Sequence, residues 1–235
     1  MKRTLSLLLV LAAVLAAGAS AGQERASHSC VRGGELWFSA ADGTKLVGHR
    51  FGKGSKAVVL AHQSNGDICE WLPYARELAG RGYFVFAIDL RGHGFSSAGP
   101  TRRMGGDVTA AVKELRKLGK TKVLVVGASM GGLAGLVGAA NARPPVDGIV
   151  ALSSPAQFIG MNGVATASAL RAPVLYVAAE DDAGGRFARD ARAMFPRTAS
   201  ADKTLEVVPG GLHGIELLQR TPAVKRLVAS FLRSH

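Results

Sequence analysis

Cysteine is nearly absent from this chain, acidic residues are outnumbered, and aromatics are sparse. Two cysteines, Cys30 and Cys69, exclude a multi-disulfide scaffold, and their spacing fits no zinc-binding pattern. Aromatic residues make up only 6% of the chain and do not interleave with the basic ones, so no nucleic-acid-binding surface is expected. Asp and Glu together number 17 against 29 Lys and Arg, a formal net charge of +12 at pH 7. Such a balance favours anionic partners, including the cell envelope, although a solvated basic exterior is the simpler explanation. In "VKELRKLGKTK", for example, Lys113, Arg116, Lys117 and Lys120 fall on one exposed side of a helix. Neither G-x-x-x-x-G-K nor G-x-G-x-x-G occurs, which removes the common phosphate-cradling loops. There is no internal repeat, low-complexity tract or linker.

One long apolar run does occur, from about Leu5 to Ala17, behind a basic start at Lys2 and Arg3 and ahead of the small residues Ala19 and Ala21. This order predicts a secretory signal peptide over residues 1–21, with an uncleaved membrane anchor as the alternative. A short extension, 22–34, would follow, and then one domain over 35–235. The protein is therefore expected outside the cytoplasm, secreted or periplasmic, as a monomer. An oxidising compartment allows a disulfide between Cys30 and Cys69, free thiols being the other possibility.

With 48% hydrophobic and 20% charged residues, the chain has the composition of a folded globular domain. From Glu35 onward, short apolar strands alternate with longer helical patterns, the signature of a mostly parallel sheet with helices on both faces. An initial hairpin is expected from "ELWFSA" and "KLVGHRF". "AVVLAHQ", "YFVFAIDL", "KVLVVGAS", "DGIVALSS", "PVLYVAAE" and "KTLEVVPG" complete about eight strands. Asp67 and Glu70 stand at capping-box spacing before "WLPYARELAGRG". Further helices are predicted near 105–118, 130–142, 185–195 and 215–233, the last carrying an apolar stripe through Val224, Leu227, Val228, Phe231 and Leu232.

Within this frame "VVGASMGG" places Ser129 between a strand and a helix, with Gly127 and Gly131 two residues either side. A serine on so sharp a turn is strained, and small neighbours let strand and helix approach, while the Met130 N–H faces any negative charge developing nearby. A serine hydroxyl needs a base, and the base needs an orienting acid. Beyond Ser129 the histidines are His213, in the glycine-rich "GGLHG" after a strand, and His235 at the end of the last helix, so His213 is the candidate base. The acid is expected after "VLYVAAE", where Glu180, Asp181 and Asp182 are adjacent; Asp182 is the first choice and Asp181 the second.

Taken together, "GASMGG", "AIDLRGHGFSS", "AAEDD" and "GGLHG" make the chain resemble the α/β-hydrolase superfamily along nearly all of its length after the leader. The resemblance implies the α/β-hydrolase fold without a separate lid domain, and a serine hydrolase acting on carboxylic esters or related acyl bonds through an acyl-enzyme. The substrate would be a small molecule or the end of a polymer, and no metal or organic cofactor is implied. An acyltransferase on the same three residues and a non-catalytic basic envelope-binding protein are the alternatives. In the family the third strand is usually followed by His-Gly and then by a residue whose N–H completes the oxyanion hole. Here "AHQSNGD" aligns His62 with that histidine and puts Gln63 in place of the glycine, leaving Ser64 or Gln63 as the partner of Met130. His62, Asp89, Arg91 and His93 are expected to hold loops beside the site. A Cys30–Cys69 disulfide would tie the N-terminal extension to the same region. The mouth is expected to be open or shallow, covered at most by residues 155–171 with Phe158, Ile159 and Met161.

Overall fold

The computed structural model describes residues 28–235, so the predicted signal peptide and residues 22–27 of the extension lie outside the described residues. Among the described residues, eight strands form one sheet in the order β1-β2-β4-β3-β5-β6-β9-β10. These are β1 (Glu35–Ser39), β2 (Lys45–Phe51), β3 (Lys56–Ala61), β4 (Phe84–Ile88), β5 (Lys122–Ala128), β6 (Gly148–Leu152), β9 (Val174–Ala179) and β10 (Lys203–Val208). β1 and β2 pair antiparallel, as do β2 and β4, and every pairing from β4 to β10 is parallel. The central strands read as continuous apolar runs because both faces are covered.

Alternation along each strand divides the interior into two cores. Ala57, Val59 and Ala61 of β3 point to a layer built from α2 (Met104–Lys117), α3 (Met130–Asn141) and α5 (Arg186–Met194). Val58 and Leu60 point to the opposite layer, where α1 (Leu72–Gly80), α6 (Gly214–Arg220) and α7 (Pro222–Ser234) pack around the fully buried Trp71. Between β6 and β9 the chain makes only the hairpin β7 (Gln157–Phe158) and β8 (Met161–Asn162) and the single turn α4 (Gly163–Ala167), and no separate lid domain.

Two expectations are corrected. The helix predicted over 215–233 is two helices, because Pro222 has no N–H to continue α6 and holds Thr221 in an extended conformation (φ −108°, ψ 101°). The capping box before α1 forms only in half. Asp67 accepts a hydrogen bond from the Cys69 N–H (2.7 Å) and starts a short 3-10 turn, while the Glu70 carboxylate turns to the Gln63 side-chain amide at 3.5 Å.

Candidate active site

Ser129 leaves β5 and enters α3 with φ 50° and ψ −119°, a conformation that costs a non-glycine residue on the order of 1–3 kcal/mol. The surroundings enforce it. The Ser129 N–H donates to the carbonyl of Leu152 at 2.8 Å, tying the turn to β6. A methyl group on Gly127 would lie 2.2 Å from the Gly131 carbonyl oxygen, and one on Gly131 would lie 2.3 Å from that of Ala61. Both positions must therefore be glycine for the strand and helix to meet. Met130 is the first residue of α3, so its N–H has no partner within the helix and stands beside the serine.

Past β9 the chain turns through Ala183, Gly184 and Gly185, all at positive φ. Glu180 and Asp181 are left exposed on this turn, whereas Asp182 points inward and is 3% exposed. Its carboxylate accepts from His213 Nδ1, with oxygens at 2.8 and 3.0 Å. The imidazole is thus fixed with Nδ1 occupied and Nε2 free for chemistry. The loop after His213 is clasped at two points: the Gly214 N–H donates to Ser153 Oγ (3.0 Å) and the Ile215 N–H to Gln63 Oε1 (3.3 Å). The ring of Phe187, from α5, packs on His213 with centroids 4.5 Å apart. Ser129, Asp182 and His213 line one cavity of about 290 Å³. Among the described residues no hydrogen bond joins Ser129 to His213, a contact that in an empty site is often long and closes when substrate is bound.

The loop after β3 gives the two oxyanion candidates different surroundings. Gln63 spends its side chain on Ile215 and Glu70 and does not line the cavity, whereas Ser64 does. His62 is fully buried; its Nδ1–H donates to the Gln63 carbonyl (2.8 Å) and its Nε2 accepts from the Leu90 N–H (3.0 Å). Because the peptide is trans, a carbonyl held by His62 turns the Ser64 N–H the opposite way. Burial pulls the His62 imidazole down to about 4, so it is neutral in this role.

Asp89 and Arg91 hold the neighbouring loop as expected. Asp89 accepts from the Ile68 N–H (3.1 Å), the Phe95 N–H (2.9 Å) and His28 Nε2 (2.8 Å), and burial pushes its carboxyl up. Arg91 bridges Asp107 and Asp42, and its guanidinium holds the Asp42 carboxyl well below the usual range. The His93 ring packs 4.9 Å from that of His62. Cys30 and Cys69 form a disulfide with Cα atoms 5.7 Å apart, fastening the extension beside this loop. Of the three residues expected over the mouth, Phe158 lines the cavity and Ile159 is exposed, but Met161 is buried in the core.

The sequence reading missed His28, Ser153, Arg186 and Phe187. The last two were traceable, since they open the helix directly after the acid loop; His28 and Ser153 act through contacts 61 residues away in the chain. A larger depression of about 500 Å³ lies between α1 and α7, but none of the site residues opens into it. Among the described residues no group of three or more His, Cys, Asp or Glu side chains is placed to hold a metal ion.

Residues 56–186, more than half of the chain, match the family described as the alpha/beta hydrolase fold. The chain belongs to the α/β-hydrolase family. Solved structures of the same architecture include an esterase from Pyrococcus furiosus, 20% identical with a TM-score of 0.72, covering 85% of this chain and 91% of its own. An enol-lactonase from Burkholderia xenovorans is 17% identical with a TM-score of 0.69, covering 83% and 99%. A thermophilic esterase from Thermogutta terrifontis is 17% identical with a TM-score of 0.68, covering 85% and 98%. At these identities the likeness is one of fold. No curated protein matches the sequence significantly. In this α/β hydrolase a serine on a strained strand-to-helix turn, a histidine held by a buried aspartate and Ser64 line one cavity.

Proposed function

We propose that this α/β hydrolase is a secreted serine hydrolase that cleaves carboxylic esters or related acyl bonds through an acyl-enzyme. The observation that carries the reading is the positive-φ Ser129 in the same cavity as His213, whose Nδ1 is held by buried Asp182. In the reaction Ser129 Oγ attacks the substrate carbonyl as His213 Nε2 takes its proton. The tetrahedral oxyanion accepts hydrogen bonds from the Met130 and Ser64 N–H groups. Collapse expels the alcohol, which receives the proton from His213, and water then repeats the sequence to release the acid. Asp182 holds the tautomer and stabilises the transient imidazolium. Three of the structural relatives are named esterases or a lactonase, which agrees with acyl chemistry at such a site. The disulfide supports an oxidising compartment, and among the described residues no helix is long and apolar enough to cross a membrane.

Fluorophosphonate labelling and turnover of short p-nitrophenyl esters test the reading. The wild type should react at Ser129, and Ser129→Ala should lose labelling and at least about 10³-fold in kcat/KM. Labelling that persists in the variant, or a wild type inert to both reagents, would overturn it.

A further inference from the structure

Resting on the serine-hydrolase reading, we propose that Arg186 recognises a carboxylate on the substrate, so that the preferred esters are anionic. Arg186 begins α5, four residues after Asp182, and its side chain lines the catalytic cavity together with Pro155, Phe158 and Phe187. Among the described residues it is the one fixed positive charge on that lining. Asp182, the acid on the same wall, is already engaged by His213.

The guanidinium of Arg186 is little used by the protein. Its contact with Asp190 is 3.7 Å long, at the outer limit of an ion pair, and no hydrogen bond from it to a protein acceptor forms among the described residues. It lies 5.4 Å from the Phe187 ring centroid, and that ring packs on His213. Arg186 thus stands on the wall of the His213 cavity as a planar cation with unspent N–H groups, linked to the histidine only through the Phe187 ring. A guanidinium fork matches the two oxygens of a carboxylate. Pro155, Phe158 and Phe187 line the same cavity and offer an apolar wall to the rest of the substrate, while the Arg186 side chain is itself 53% exposed, so a pair formed there is partly screened by water. The excess of basic residues, which remains large without Lys2 and Arg3 of the expected leader, acts in the same direction, raising the local concentration of anionic substrates.

The test compares matched esters that differ in one charge. On the alcohol side the pair is 4-acetoxybenzoate and its methyl ester; on the acyl side it is 4-nitrophenyl hemisuccinate and 4-nitrophenyl butyrate. Within each pair the ratio of kcat/KM for the anionic over the neutral ester is read in wild type, Arg186→Gln, Arg186→Lys and Arg192→Gln. Comparing ratios between proteins cancels the intrinsic reactivity of each ester. Arg186→Gln should lower the ratio about two- to fivefold in one of the two pairs, which also tells whether the carboxylate sits on the alcohol or the acyl part. Arg186→Lys should restore only part of it. Arg192→Gln removes the same charge from an exposed position on α5 and should leave the ratio unchanged. Ratios unaltered by Arg186→Gln in both pairs, or lowered equally by Arg192→Gln, would overturn the assignment while Ser129-dependent turnover stood. Absence of any Ser129-dependent turnover would instead defeat the serine-hydrolase reading beneath it.

Discussion

Asp181 and Asp182 carry the same carboxylate on adjacent positions, yet the turn after β9 gives them opposite environments. Asp181 is exposed and donates its N–H to the Gly210 carbonyl at 2.9 Å, whereas Asp182 is buried against His213. Replacing Asp182 by Asn should retain the fold but favour the wrong imidazole tautomer, lowering kcat about 10³- to 10⁴-fold. Asp181→Asn should stay within about twofold of wild type, because the exposed carboxylate touches no reacting group. Steady-state kinetics on one short ester decides both, and equal losses in the two variants would remove Asp182 from its role. The same logic separates Gln63 from Ser64. Gln63 is the residue that departs from the family's usual glycine, and the structure gives its side chain a clasp to make at Ile215.

The loop joining β3 to α1 depends on a neutral histidine. His62 has a folded pKa of about 4 against 6.5 in an unfolded chain, so between those values the unfolded state binds more protons and stability rises with pH. Its contribution is present in full above about pH 6.5 and is lost as the pH falls toward 4. Protonation would also remove the Nε2 acceptor used by the Leu90 N–H. The stability advantage of wild type over His62→Asn should therefore shrink by roughly 3 kcal/mol between pH 7.5 and 4, read by urea denaturation. An advantage independent of pH would show that the ring titrates normally. Taking the difference between the two proteins matters, because the buried Asp89 and Asp107 carboxyls are shifted upward by burial and act with the opposite sign above the ordinary carboxylate range.

At the scale of the whole molecule, residues 28–34 form a strap held at the loops that follow β3 and β4. It is held by the Cys30–Cys69 disulfide, which reaches the segment after the proposed oxyanion loop, and by His28 on Asp89 of the loop after β4, whose carboxylate accepts from the Ile68 N–H of that segment. The bond spans a sequence separation of 39 residues, for which loop closure alone predicts a stabilisation of roughly 4 kcal/mol. A Cys30→Ala/Cys69→Ala variant should melt about 10 °C below wild type, with reduced wild type falling to match it. A melting temperature indifferent to both changes would mean that His28 and the sheet hold the strap unaided.

The fold and the hydrolase class were legible in the sequence because they rest on local rules. The apolar runs of β3 to β9, the glycines flanking Ser129 and the order of serine, acid and histidine each follow from neighbouring residues or from spacing. Thr221 and Pro222 are legible as punctuation in the sequence, and the structure shows that they separate two helices rather than lie within one over 215–233. What the tertiary structure alone decided depends on distant segments meeting: Asp182 over Asp181, Ser64 over Gln63 on the cavity wall, the bonded state of two cysteines, and the placement of Arg186. Sequence determines which groups a loop contains, but which of them faces the Ser129 cavity is set by backbone turns and by partners many residues away, such as Gln63 at Ile215 and His28 at Asp89.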